Sequence, residues 1–187
     1  MNYKNVFVLC TGRCGSVTFA RMADHITNAT SGHETRSHCV GQERMAYATN
    51  HIEVDNRLSW VLGRLDQAFG RSAFYVHLIR EPEAVARSFA ARHDKGIMSA
   101  YSQHILMSGL RRNPSLSPLE FAQDYVTTVT GNIQNFLRDK PNKMIFRLER
   151  AKYETPWFWK AIGAEGDLSA ACAEWEIVHN ATSTVSA

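Results

Sequence analysis

The 187-residue chain is 44% hydrophobic and 21% charged, with a formal net charge of +3. This describes one soluble globular domain over residues 1–187, with enough apolar residues for a core. The charge suits a small anionic ligand and is too weak to call for nucleic acid; no apolar run reaches the ~20 residues of a membrane span. The four cysteines, Cys10, Cys14, Cys39 and Cys172, form no CxxC pair. Free thiols in a reducing, cytoplasmic setting are the simplest reading.

Residues 4–10 read as a short buried strand running into a glycine-containing loop. Residues 16–26 follow as a helix, with Phe19, Met22, Ala23 and Ile26 on one face. Residues 28–32 read as a loop, and 33–40 as a short return to the sheet edge. His51 to Val54 alternates like a further strand. Residues 57–69 have helical spacing in Leu58, Val61, Leu62, Leu65 and Phe69, and Gly70 stops them. Residues 74–79 make the second clear strand. Pro82 then occupies a helix's first turn, and Val85, Ser88, Phe89 and Arg92 recur at helical intervals. Residues 96–138 are mostly helical, broken at 113–118, with Arg111 and Arg112 at a solvated helix end. Residues 143–148 read as a third strand. Helices at 157–162 and 168–175 close the chain, with Trp157, Trp159 and Trp175 expected in the core. Strands alternating with helices predict an α/β fold, a three-layer sandwich around a mainly parallel central sheet.

Two strand ends carry the chemistry. The first strand runs into Thr11-Gly12-Arg13-Cys14-Gly15-Ser16, then Val17 and Thr18. A strand, a tight loop and a helix N-terminus make an anion site, because loop amides point at the ligand and the helix dipole favours negative charge. Arg13 adds charge, and Ser16 and Thr18 add hydroxyls. The pattern GxxxxGK[ST] is absent and no lysine precedes Ser16, which removes the usual route to ATP with magnesium. Arg80 should stand at the carboxyl end of the strand over 74–79, where open parallel sheets bind ligands. Ser88 on the following helix can turn toward the same anion. The alternative for Arg80 is a salt bridge to Glu81 or Glu83.

Cys14 lies beside Arg13 near a helix N-terminus, and both lower a thiol pKa. Oxidation or alkylation there is expected to block the loop; the alternative is a small residue facing the core. His33, His38, Cys39 and His51 match no tight ligand spacing, so no metal site is read. His77, inside a strand, reads as a hydrogen-bonded core histidine.

Arg13-Cys14-Gly15-Ser16, together with Arg80-Glu81-Pro82 and Ser88 at its spacing, resembles the sulfotransferases that use 3′-phosphoadenosine 5′-phosphosulfate (PAPS). The likeness covers about residues 5–27 and 74–93, and more weakly Phe146-Arg147-Leu148-Glu149. The chain is short for that family. The resemblance implies a P-loop NTPase-like sulfotransferase fold. It places Thr11, Gly12, Arg13, Cys14, Gly15, Ser16, Val17 and Thr18 around the 5′-phosphosulfate, and Arg80 and Ser88 on the 3′-phosphate. It calls for PAPS as co-substrate and for no metal. The partner is a small-molecule or carbohydrate acceptor with a hydroxyl or amine, with no nucleic acid or membrane; a homodimer is compatible with the sequence.

In the family's glycosaminoglycan branch, a glutamate base follows the first loop by about one helix and one turn. Glu34, in Gly32-His33-Glu34-Thr35-Arg36, stands in that place, with His33 as second candidate and Arg13 stabilising the leaving phosphate. Glu53 and Asp55 form a weaker pair of candidates. The alternative for Glu34 is a pairing with Arg36 or with a buried arginine. The rival functions are a P-loop-type nucleotide kinase or phosphotransferase and a non-catalytic nucleotide-binding module.

Overall fold

The strand β1 (Asn5–Leu9) is buried at every position because it lies in the middle of the sheet. The computed structural model describes residues 1–177, and within them five strands pair in the order β2-β3-β1-β4-β5, all parallel. The others are β2 (Thr30–His33), β3 (His51–Val54), β4 (Phe74–Ile79) and β5 (Lys143–Arg147). A parallel sheet needs helical crossovers that cover both faces. Here the crossovers carry α1 (Ser16–Ala23), α2 (Leu62–Phe69), α3 (Pro82–Ala90), α4 (Gly96–Ser99), α5 (Gly109–Arg112) and α6 (Pro118–Leu137), and α7 (Ala151–Ile162) and α8 (Leu168–Ala173) follow the last strand.

Strand side chains alternate between faces, so β1 feeds two cores. Val6 and Val8 pack with Phe19 and Met22 of α1, Phe158 and Ile162 of α7 and Ala171 of α8. Phe7 and Leu9 pack on the other face with Leu65 of α2, Phe89 of α3 and Tyr125, Val129 and Ile133 of α6. The α/β architecture with helices on both sides of a parallel sheet is therefore as expected. Register then positions the site. Val8 pairs with both Val54 and Val76, so β1, β3 and β4 run side by side and their outgoing loops leave from one edge of the sheet, with β4 reaching furthest, to Ile79.

Several boundaries differ from expectation. Residues 30–33 form β2, and 34–38 turn away from the sheet rather than returning to it. α1 stops at Ala23, although Ile26 stays buried and bridges Gly166. The segment expected as one helix over 57–69 is a 3-10 turn, Asn56–Trp60, followed by α2. The region after α3 is α4, a π-helical stretch over Ala100–Ile105, α5 and then α6. α6 opens on a capping box between Ser117 and Glu120 with Pro118 in the first turn. Arg111 and Arg112 lie exposed in the last turn of α5. α7 begins at Ala151 and accommodates Pro156 in its interior. Trp159 is buried and Trp175 donates to Thr155 Oγ1 at 2.8 Å, but Trp157 is 71% exposed and is not a core residue. Among the described residues, no helix is long and apolar enough to cross a membrane.

His77 is buried in β4 as expected, but among the described residues its Nε2 finds no hydrogen-bond partner. Burial lowers its pKa from the usual 6.5 to about 4. Between those values the unfolded chain takes up a proton that the folded chain refuses. Stability is thus whole above about pH 6.5 and declines as pH falls toward about 4, by about 3 kcal/mol in total. Urea unfolding of wild type and His77→Leu, at neutral pH and near pH 4, isolates this contribution. The variant should lose less stability on acidification by about that amount; parallel losses in the two proteins would refute it.

Candidate active site

The loop after β1 is built from left-handed backbone. Gly12, Arg13 and Gly15 have φ of 88°, 58° and 86°. Such a run turns successive amides toward one side and makes an anion-binding concavity. At two of these positions the positive φ disfavours any side chain, and a neighbouring side chain would also have to move aside. A Cβ on Gly12 would meet Asn56 Nδ2 at 2.7 Å, and one on Gly15 would meet Leu148 Cδ1 at 2.7 Å. Gly15 is also the N-cap of α1 and supplies no side-chain cap, so the first-turn amides are left for other acceptors.

The loop is held from below. Tyr125 Oη donates to the Thr11 carbonyl at 2.8 Å, and Ser59 Oγ donates to the Cys10 carbonyl at 3.2 Å. Phe89 and Tyr101 pack edge-on against Tyr125. Burial pushes the Tyr125 phenol far up, so it stays a donor. Thr11 is buried and its hydroxyl donates to the Gly12 carbonyl at 3.0 Å. Thr18 is buried, and Val17 is half-buried.

Cys14 is fully buried in the core that β1 shares with α1. Its contact with the Cys10 thiol, together with burial, pushes the Cys10 pKa well up. A reagent in solvent does not reach either sulfur. The expectation of a reactive Cys14 is corrected: the left-handed turn at Arg13 sends the next side chain inward.

The second strand end meets the first loop directly. Arg13 Nε donates to Ser88 Oγ at 3.0 Å, and Arg80 Nη1 donates to the Arg13 carbonyl at 3.2 Å. The acids beside Arg80 are engaged elsewhere. Glu81 caps Ala84 N at 2.7 Å, and Glu83 pairs with Arg87 at 3.1 Å. Among the described residues Arg80 makes no ion pair within 4.0 Å, so its alternative as a local salt bridge falls away. The pKa of Arg13 is lowered by burial first, then by the charges of Arg92 and Arg80. Segment 146–149 joins the two loops, since Leu148 covers Gly15 and Glu149 Oε1 accepts from Glu81 N at 2.7 Å.

The candidate bases approach from the other side. A hydrogen bond of 3.0 Å links His33 Nε2 and Ser16 Oγ. Glu34 follows, with φ of 54° and its amide bonded to the Val54 carbonyl at 3.0 Å. Its carboxylate pairs with Arg57, while Arg36 pairs with Glu43. The Glu34 side chain is 27% exposed, so the pair stands at the surface of the site rather than in the core. Glu53 and Asp55 are not bases: both are fully buried and saturated. Glu53 accepts from Thr35 N at 2.7 Å and Thr35 Oγ1 at 2.6 Å, and bonds His51 Nε2 at 2.9 Å. It clamps the turn that presents Glu34. Asp55 pairs with Arg44 at 2.7 Å.

His51 is also committed through Nδ1 to Thr30 Oγ1, at 2.8 Å. Among the described residues, no three His, Cys, Asp or Glu side chains are grouped to hold a metal ion.

The convergence joins Arg13, Ser16, His33, Glu34, Arg80 and Ser88 at one edge of the sheet. Reading by motif missed Arg57 and Tyr125, which fall at the site only through the placing of β3 and α6, and it gave Leu148, in the weaker 146–149 likeness, no place at the first loop. No protein-family model matches the chain, and no curated protein matches it in sequence.

Proposed function

We propose that this chain is a sulfotransferase of P-loop-like fold that moves a sulfuryl group from PAPS to a hydroxyl or amine acceptor. The observation that supports this best is the physical joining of two anion sites through the Arg13–Ser88 and Arg80–Arg13 bonds. A ligand with phosphates at two positions needs that arrangement, and a nucleoside triphosphate does not. PAPS supplies an activated sulfuryl group on its 5′-phosphate.

Around it, the first loop holds the 5′ end through its amides, Arg13 and Ser16. Arg80 and Ser88 hold the 3′-phosphate. The acceptor's oxygen or nitrogen forms a bond to sulfur as the bond from sulfur to the 5′-phosphate oxygen breaks. The acceptor proton goes to the Glu34 carboxylate. Charge that gathers on the leaving phosphate meets Arg13 and the loop amides, fixed before the reaction begins. Arg57 holds the Glu34 carboxylate at the mouth of the site until an acceptor competes for it.

Calorimetric titration without metal tests the reading. Adenosine 3′,5′-bisphosphate should bind at least ~10-fold more tightly than ADP or ATP, one charge-assisted contact being enough for that ratio. Failure to bind the bisphosphate would sink the proposal, and preference for ATP with magnesium would favour a phosphotransferase.

A further inference from the structure

We propose that the exposed tip over residues 103–117 is a docking site for an anionic lipid surface. Ile105, Leu106 and Met107 enter its apolar layer, and Arg111 and Arg112 meet its headgroups. The inference goes beyond the PAPS reading and does not rest on it. It departs from the expectation of no membrane partner, because only the fold shows that this apolar run lies outside.

The tip leaves a fixed base. Met98 and Tyr101 are buried, and Tyr101 packs edge-on against Tyr125 and donates to Asp124. The π-helical turn over Ala100–Ile105 is closed by backbone bonds, Leu106 N to the Tyr101 carbonyl and Ser108 N to the Gln103 carbonyl, both at 2.9 Å. Met107 and Ser108 then take left-handed backbone, with φ of 50° and 65°. Residues with a Cβ rarely adopt it. At this turn Ile105, Leu106 and Met107 are 48%, 37% and 66% exposed. Three consecutive aliphatic side chains thus stand in water beside a strained turn, on a base that is itself packed.

The charge around the tip has one sign. From Lys95 to Leu119 the sequence holds Lys95, Arg111 and Arg112 and no aspartate or glutamate. Arg111 and Arg112 are exposed in α5, and Arg112 N bonds the Ser108 carbonyl at 3.0 Å. Both therefore lie about one helical turn from Met107. Among the described residues neither arginine is in an ion pair. The acids that follow are committed, Glu120 to the capping box of α6 and Asp124 to Tyr101. Aliphatic side chains beside unpaired cations suit a surface that is apolar inside and anionic outside, as an anionic bilayer is. A stable protein partner would need roughly 800 Å² of matched face and would favour aromatic anchors. Residues 103–117 contain no Phe, Tyr or Trp.

The test sediments the full chain with vesicles of phosphatidylcholine alone, or with about one third phosphatidylserine. Wild type should bind the anionic vesicles at least ~10-fold more tightly, the worth of two basic residues at such a surface. High salt should release it. Met107→Asp should weaken that binding by at least ~10-fold, since a carboxylate enters neither layer. Arg111→Gln together with Arg112→Gln should bring it down to the phosphatidylcholine level. All these side chains are exposed, so urea midpoints should match wild type and separate misfolding from lost docking. Absence of binding to the anionic vesicles, or equal binding to both kinds, would overturn the proposal. Undiminished binding of Met107→Asp would overturn the entry of the aliphatic tip. Retention on immobilised polyglutamate without vesicle binding would overturn the lipid in favour of an acidic protein.

Discussion

Glu34→Gln is expected to cut sulfuryl transfer by a factor on the order of 10²–10⁴, the usual contribution of a positioned base. Affinity for adenosine 3′,5′-bisphosphate should stay within about twofold, since Glu34 is not placed on a phosphate. The amide keeps the carboxylate's size and can still accept from Arg57, but it cannot take a proton. The backbone around it is fixed independently: by the Glu34 amide on Val54, and by Thr35 on the buried carboxylate of Glu53. The variant should therefore fold as wild type does. The measurement is bisphosphate release from PAPS with an acceptor that the wild type sulfates, beside calorimetric binding. Undiminished transfer would remove Glu34 from the role. If His33→Ala abolishes transfer instead, the base is the histidine bonded to Ser16.

The largest loss of stability is expected from Arg44→Ala, about 3–5 kcal/mol, because it strands a buried charge. Asp55 is fully buried and the Arg44 side chain is 5% exposed. Burial pushes the Asp55 carboxyl up, and Arg44 is the largest pull back toward the ionised form, followed by the Arg57 amide. Arg44 also donates to Tyr47 Oη at 2.7 Å. Asp55 starts the turn carrying Asn56 and Arg57, accepting from Arg57 N at 2.7 Å. Urea unfolding should show a lower midpoint at unchanged slope. Adding Asp55→Asn to Arg44→Ala should recover part of the loss, since no charge is then left without its partner. A loss below ~1 kcal/mol from Arg44→Ala alone would mean that the pair behaves as a surface one.

β1, β4 and β5 were legible because each is a run of apolar residues next to a loop signal, and Arg13, Arg80 and Ser88 stand at fixed offsets from them. β2 was not, because Thr30-Ser31-Gly32-His33 is an edge strand without an apolar run, exposed or half-buried throughout. α7 was read too late because Pro156 resembles a helix start, while Ala151 to Thr155 already form its first turns. Trp157 reads as core by composition alone, yet the face it occupies has no helix against it among the described residues. For the site, the motif named the residues proposed to hold the phosphates. It did not name those that support the candidate base. Glu53 and Asp55 look like acids available for chemistry in the sequence, and only the partners Thr35, His51 and Arg44 turn them into supports.

The placing of β1 at the centre has a consequence for synthesis. The first strand made is flanked by β3 and β4, and all its pairings are parallel, so none can form as a local hairpin. A nascent chain carrying the first loop alone has one of the five strands and none of Arg80 or Ser88. Under the proposed function, nucleotide capture is then a late event, after the third crossover has closed, and PAPS or its product acts as a ligand of the finished fold alone. Saturating bisphosphate should slow unfolding far more than it speeds the first steps of folding.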